Sequence, residues 1–535
     1  MMRKVLWTVG AALLLGSCDD DPTRHDDLTT VVVDNATSFF AVEASDARTG
    51  LPLDGVQVTL GISGPAARRV IDVAGNPITE LTTDRGFMAL GLTGAVPTKA
   101  APAELLVVAS AAGYVETSQW MTHTAARNDP EIIAMVSLAA PPPGTAVGTS
   151  GAAVAGPGGV LAATVTVSTA PDAVTGGRAS VTLPAGTVVR DRSGTPLSGA
   201  LQTTVVYFNN QNDESLAAFP GGFSPRVENP PAGSPSGGAF TSAGFASITV
   251  RDGAGREART FSTPIQVSVD VPAATVNPET GAAVKNGDVV PYWSYATRTG
   301  RWRYEGLATL AGPNAAGNFT TAVPTNHLSP FNDDWWIPPC SSAPIYIIGG
   351  SRGMNWRLTL KRPGAFLQVN IRDSVLDVGT WAPRTPFESA NRVHIVATDL
   401  VTGRVGGTLE TSQLCRDRNE LKVARWPVAR LAIEVRVICG ELLLRPWGWM
   451  RFRGRNASRW LWGVSLVDGI ALLGGLEPNT QYELENFGVY QRGLQSGTVS
   501  ATTGEAESER RVEIEYEIPE EACLGIGGHD QGGGP

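Results

Sequence analysis

Short runs in which apolar and polar positions alternate recur along most of this chain, and clusters of turn-formers separate them. Val31-Val32-Val33, Phe39-Phe40-Ala41-Val42-Glu43-Ala44, Val56-Gln57-Val58-Thr59-Leu60 and Leu105-Leu106-Val107-Val108-Ala109 read as strands. Thr49-Gly50-Leu51-Pro52, Gly75-Asn76-Pro77 and Asp84-Arg85-Gly86 punctuate them. The pattern continues through Thr203–Phe208, Ile265–Pro272, Leu367–Ile371 and Ala432–Ile438, and Val512–Ile518 alternates Val, Ile and Tyr with glutamate. A period of two puts one face of each run into a core and leaves the other wet. Many short strands with Gly/Pro/Asn turns predict an all-β chain, a multidomain string of β-sandwich units.

The first residues break that pattern. Arg3-Lys4, an apolar run Val5–Leu15 and small residues lead to Cys18, which reads as a secretory signal too short to stay in a membrane. Leu15-Gly16-Ser17-Cys18 resembles the bacterial lipobox. The resemblance implies a signal peptide over 1–17 and lipidation of Cys18, whose acyl chains would anchor the protein. Asp19-Asp20-Asp21 follows, within an acidic linker over 18–28. In enterobacteria such a collar resembles an inner-membrane retention signal, and in other lineages a surface-export tag. The expected location is the cell envelope, with the outer membrane or cell surface favoured over the inner membrane.

Composition narrows the class. The chain has 535 residues, 17% charged and 42% hydrophobic, with 61 Gly and 37 Pro, enough for several folded domains. A net charge of −9 argues against a nucleic-acid partner. The five histidines (His25, His123, His327, His394 and His529) lie far apart in sequence, so no metal site is expected, and no cofactor motif is visible. Cys340, Cys415, Cys439 and Cys523 predict two disulfides in an oxidising compartment. Of the three connectivities, 340–415 and 439–523 is preferred because each bond would staple one unit. No Cys-x-x-Cys occurs. Asp191-Arg192-Ser193-Gly194 and Asp252-Gly253 read as hairpin turns, since the carboxylate-rich loop of a calcium site is missing.

Local motifs divide the chain. Asp46–Val56, Thr82-Thr83-Asp84-Arg85-Gly86 and Ala111-Ala112-Gly113-Tyr114 resemble the carboxypeptidase-regulatory-like family, which implies a prealbumin-like accessory sandwich over 29–139. A Pro/Gly/Ala-rich linker is expected over 140–159. Residues 160–337 resemble the β-rich module of cartilage intermediate layer proteins, ankyrins and netrin receptors. The resemblance rests on the hairpin Trp293–Trp302 with its Thr-Gly-Arg-Trp end, followed by His327-Leu328-Ser329. It implies a structural or interaction unit. A sandwich unit is expected over 338–430 and another over 431–524, where Gly475–Leu484 looks like a fibronectin type III or immunoglobulin-like corner. Residues 525–535 read as a disordered tail. Charge is segregated here: 340–470 holds 19 Lys/Arg against 10 Asp/Glu, and 471–535 holds 3 against 12.

Two places carry candidate chemistry. On a strand, Trp447, Trp449, Arg451, Arg453 and Arg455 would share one face, able to stack on sugars and pair with acidic groups, or to serve the structure. The acidic final strand of the same unit offers those arginines an internal partner. At His327-Leu328-Ser329, the motif resembles the site where some netrin-receptor-like and adhesion-receptor domains cut themselves. The resemblance implies attack of Ser329 Oγ on the Leu328 carbonyl, with His327 as base; a hydrogen bond within a structural turn is the plainer role. The leading expectation is a non-enzymatic, membrane-anchored scaffold without cofactors, whose partners are the membrane and an envelope protein or polysaccharide. Glycan or acidic-polymer binding and self-cleavage are the alternatives.

Overall fold

Four pairs of stacked sheets follow one another along the chain. The computed structural model describes residues 29–32, 36–73, 75–223, 225–234, 237–338, 344–371, 380–381, 392–415, 418–457, 460–487 and 498–517. Strands make up nearly all of the regular structure, and the one α-helix described is the single turn Asp213–Ala217. Cys18, Cys340, Cys523 and the expected tail over 525–535 lie outside the described residues.

Sandwich 1 stacks two four-stranded sheets. One runs Val70–Ile71, Phe87–Leu92, Ser38–Asp46, Glu131–Met135; the other runs Glu80–Thr83, Val58–Ser63, Ala103–Ala111, Thr117–His123. Phe40, Val42, Leu60, Leu90, Leu105 and Val107 fill the space between them. The alternation in Val58–Ser63 is as the sequence pattern requires, one face buried and one not. Ser38–Asp46 is buried on both faces, a sign that something covers its outer side.

Sandwich 2 has a seven-stranded sheet, in order Thr145–Ala155, Gly199–Phe208, Ala239–Arg251, Phe331–Ile337, Val289–Ala296, Arg301–Thr309, Arg226–Glu228. Its second sheet contains Val165–Ser168, Ala179–Leu183, Ala258–Val271, Val189–Asp191 and Phe319–His327. The expected linker is not one: Thr145–Ala155 is an edge strand paired with Gly199–Phe208. One of its small residues is there for close packing. A Cβ on Gly148 would lie 2.2 Å from the Ser168 carbonyl oxygen, so the opposite sheet approaches only because the side chain is missing. Asp191 and Asp252 are turn residues: Asp191 Oδ1 accepts the amides of Ser193 and Thr195, and Asp252 Oδ1 those of Ala254 and Arg256.

Sandwich 3 pairs the sheet Ala365–Ile371, Trp356–Arg362, Val393–Asp399, Val405–Thr411 with the sheet Thr380–Trp381, Ile345–Gly349, Asn419–Val423. Trp356, Leu358, Ile395 and Leu421 form its core, with Cys415 packed against it. Sandwich 4 pairs Leu461–Leu466, Gly448–Gly454, Gln481–Phe487, Thr498–Thr502 with a sheet built on Ala429–Cys439, flanked by Leu442–Arg445, Ile470–Leu476 and Glu509–Glu517. Cys439 belongs to its core. Cys415 and Cys439 are both disulfide-bonded. The expected corner is present, with the Glu477 amide donating to the buried Tyr482 hydroxyl at 2.9 Å.

The units are not independent beads. Thr29–Val32, expected to open sandwich 1, instead pairs in parallel with Leu442–Arg445 and extends a sheet of sandwich 4. Sandwich 1 also docks on sandwich 2. The Trp120 indole donates to the Gly300 carbonyl at 3.1 Å, and Ser118 Oγ bonds Tyr295 Oη at 2.8 Å. Gly300 has φ +61, and a Cβ there would come within 2.5 Å of Trp120 and Leu106. Glycine both makes this turn and admits the neighbouring sandwich.

Candidate functional site

His327, Leu328 and Ser329 lie where the chain crosses from one sheet of sandwich 2 to the other. Phe319–His327 ends in the five-stranded sheet, and Phe331–Ile337 starts in the seven-stranded one. The crossover is pinned on both sides. Leu328 is 3% exposed and its amide donates to the Arg259 carbonyl at 3.1 Å, while the Pro330 carbonyl accepts the Tyr295 amide at 2.9 Å. Pro330 restricts Ser329 to extended backbone, which suits a straight passage between layers.

The imidazole of His327 bridges two groups. Its Nδ1 is 3.4 Å from Ser329 Oγ, and its Nε2 is 3.3 Å from Glu305 Oε1. Glu305 Oε1 also accepts Ser294 Oγ at 2.6 Å and lies 3.7 Å from Arg303 Nε. Partial burial pushes the Glu305 carboxyl up, but hydrogen bonds from His327 and Ser294 and the charges of His327 and Arg303 outweigh it. Its pKa therefore falls below the usual range. An ionised carboxylate thus orients the histidine, and the histidine faces a hydroxyl. Ser329 Oγ is 2.9 Å from its own preceding carbonyl oxygen, that of Leu328. The parts for deprotonating Ser329 beside the Leu328–Ser329 peptide are together.

Glu305 escaped the sequence reading. It is the extra residue of a β-bulge: Trp293 pairs with Tyr304 and Tyr292 with Gly306, so Glu305 has no partner across the ladder. Bulges re-aim side chains. A sequence alternation gives no sign of where one falls.

The expected Trp/Arg face exists as a face but is largely closed. On Gly448–Gly454, Met450 and Phe452 enter the core of sandwich 4, which turns Trp449, Arg451 and Arg453 outward as period two requires. Outward is not into solvent. Trp447 and Trp449 are 3% and 2% exposed, packed with Phe39, Ala41, Phe87 and Ala89 of sandwich 1. Trp447 meets Phe39 at 5.1 Å between ring centroids, and the Trp449 indole donates to the Phe40 carbonyl at 3.1 Å. These rings cover the outer side of Ser38–Asp46. They offer no stacking platform to a glycan.

The arginines are spent internally as well. Arg451 stands opposite Glu485 and Arg453 opposite Glu483 on the neighbouring strand Gln481–Phe487. Arg451 Nη2 lies 2.7 Å from Glu485 Oε2, with both side chains under 5% exposed. Arg85 of sandwich 1 reaches Glu485 Oε1 at 3.1 Å, so one carboxylate ties two sandwiches together. Arg453 Nε lies 2.6 Å from Glu483, and the exposed Arg455 donates to Gln481 Oε1 at 2.6 Å. The partner strand is Gln481–Phe487, not the acidic final strand, whose Glu513 and Glu515 face Arg436.

No family model matches the chain, and no curated protein matches it. Among solved structures, it is similar to GBS52, the minor pilin of Streptococcus agalactiae, at 12% identity and TM-score 0.16, over 33% of this chain and 96% of that one. The shaft pilin SpaA of Lactobacillus rhamnosus GG is similar at 7% identity and TM-score 0.16, over 33% and 97%. A streptococcal ancillary pilin is similar at 11% identity and TM-score 0.13, over 44% and 94%. Likeness at this level carries no statement about what the chain does.

Proposed function

We propose that this protein is a non-enzymatic, lipid-anchored scaffold of the cell envelope, held at the outer membrane or cell surface by Cys18, with disulfides 340–415 and 439–523 stapling sandwiches 3 and 4. The observation that carries the reading is the seal between the first and last sandwiches. Trp447, Trp449 and the Arg85–Glu485–Arg451 cluster join residues some 400 positions apart in sequence. Such a body presents fixed outer surfaces, as a scaffold needs. The seal also limits the tether. Thr29–Val32 is a strand of sandwich 4, and the eleven residues from Cys18 to Thr29 reach at most about 40 Å when extended. Sandwich 4 would therefore sit closest to the bilayer. Among the described residues no helix is long and apolar enough to cross a membrane, so anchoring would fall to the lipid. Membrane fractionation with palmitate labelling tests this. The native chain should label and sediment with membranes, and Cys18→Ser should do neither; a native chain that stays soluble and unlabelled overturns the reading.

A second reading, self-cleavage between Leu328 and Ser329, is favoured by the Ser329–His327–Glu305 arrangement. Ser329 Oγ would bond to the Leu328 carbonyl carbon as its proton passes to His327. The Leu328–Ser329 C–N bond would then break, with the proton delivered to the Ser329 nitrogen. Water would hydrolyse the resulting ester to a Leu328 carboxylate and restore the Ser329 hydroxyl. Intact mass after days at neutral pH decides it. Two fragments that become one chain in Ser329→Ala support cleavage, and one intact native mass removes it.

A further inference from the structure

A cleft of about 340 Å³ opens between sandwich 1 and sandwich 2, and nothing above assigns it a role. Its floor is the outer face of the seven-stranded sheet. There Thr149, Thr204 and Thr249 are directly opposed across three adjacent strands, making a row of threonines on strands about 4.8 Å apart. Thr149 is exposed and the other two are half-buried. Tyr114 and Glu116 of sandwich 1 form one wall, and Ser329 and Pro330 lie at another.

Among the residues that line the cleft, two carboxylates face two guanidinium groups. Glu257 Oε2 lies 3.3 Å from Arg251, and its Oε1 lies 3.2 Å from Arg259. Glu116 supplies the second carboxylate and feels Arg259, Arg298 and Arg251, of which Arg298 lies outside the lining. An anion would meet Glu116 and Glu257, and a cation would meet Arg251 and Arg259. Hydroxyls donate and accept with equal ease, which matches a ligand that also does both. The half-buried Tyr114 ring adds an amphipathic surface for C–H faces. The volume lies within the range of small-molecule pockets, and the walls are held by the rigid contacts at Ser118 and Trp120.

We propose that this cleft binds a neutral saccharide, with the Thr149–Thr204–Thr249 row and Glu116 bonding its hydroxyls and Tyr114 covering one ring face. The site is separate from the Trp/Arg face and goes beyond a scaffold role, because it gives the body a ligand. Burial raises the Glu116 carboxyl above its ordinary range, against the pull of the nearby arginines, as a partly desolvated acceptor should be.

The test is saturation-transfer NMR and calorimetry on the full Cys18→Ser chain, with maltotriose, cellotriose and chitotriose as neutral probes and trigalacturonate as the anionic one. At least one neutral trisaccharide should bind in the millimolar range or tighter. Thr204→Trp, which fills the floor, should weaken it at least about tenfold. Glu116→Gln, which keeps the shape, should weaken it about threefold or more. The proposal is overturned if none of the three neutral probes binds at ~10 mM, if neither variant changes binding, or if trigalacturonate binds more tightly than all of them.

Discussion

The strand Gly448–Gly454 and the crossover Leu328–Pro330 are both dense in chemically capable side chains, and both lie where two sandwiches meet. Sandwich 1 approaches each of them. Around Gly448–Gly454 it brings Phe39, Phe87 and Arg85 down onto Trp447, Trp449 and the neighbouring strand's Glu485, and the surface disappears. Beside the crossover it brings Tyr114 and Glu116 but stops short, leaving a cleft onto which Ser329 opens. The difference lies in complementarity. Two indoles find an apolar partner face and a paired carboxylate, so closing the gap gains buried area without orphaning a charge. The threonine-rich sheet face finds no such partner, and its hydroxyls are better satisfied by water or a ligand. Reactive residues therefore say little about function until their neighbour across the domain boundary is known.

Several substitutions would break or sharpen that contrast. The largest effect belongs to Trp449→Ala. It empties part of the seal and removes the bond to the Phe40 carbonyl, so the first unfolding transition in urea should lose about 3–5 kcal/mol. An unchanged midpoint would mean that sandwiches 1 and 4 are not joined in solution. Next is Arg451→Ala, which leaves buried Glu485 with Arg85 alone and should cost about 3 kcal/mol, while exposed Arg455→Ala should stay within about 0.5 kcal/mol. Equal losses from the two arginines would contradict the burial difference.

Asp333→Asn probes the strand that leaves the crossover. Complete burial pushes the Asp333 carboxyl up to about 7, while a hydrogen bond from Thr321 Oγ1 at 2.6 Å pulls it the other way. The folded chain thus keeps a proton that the unfolded chain, near the ordinary aspartate value of 3.8, releases. Stability from this group is full below pH ~4, falls as pH rises towards 7, and then levels. Asparagine does not titrate, so the variant should gain on the native chain by roughly 3 kcal/mol between pH 4.5 and 7.5. A constant difference in thermal unfolding across that range would show that Asp333 does not titrate there. The smallest effect is expected from Ser329→Ala, within about 1 kcal/mol, because its hydroxyl makes only local contacts, to His327 and the Leu328 carbonyl. A loss as large as that of Trp449→Ala would make the crossover as sealed as the other region.

Alternation with turn punctuation was enough to read an all-β, multi-sandwich chain, because a period of two is a local consequence of strand geometry. The same local rule put Trp449, Arg451 and Arg453 on one face of their strand. The corner at Tyr482 and the turns at Asp191 and Asp252 were legible for a like reason, since each is satisfied within a few residues. The basic and acidic segments were visible as well, but not that they meet as Arg451–Glu485 and Arg453–Glu483.

What escaped was non-local. Thr145–Ala155 looked like a linker because its small residues carry no hydrophobic period; Gly148 is small to let Ser168 approach. Thr29–Val32 looked like the start of sandwich 1, yet its pairing partner is Leu442–Arg445. Glu305 reaches His327 through a bulge, and the tryptophans are covered by a domain that begins some 400 residues earlier. Sequence by itself determined which residues could share a face, since backbone geometry decides that within a strand. Whether the face met water, a ligand or another sandwich was decided only by the docking of whole domains, where shape and charge complementarity are summed over residues far apart in the chain.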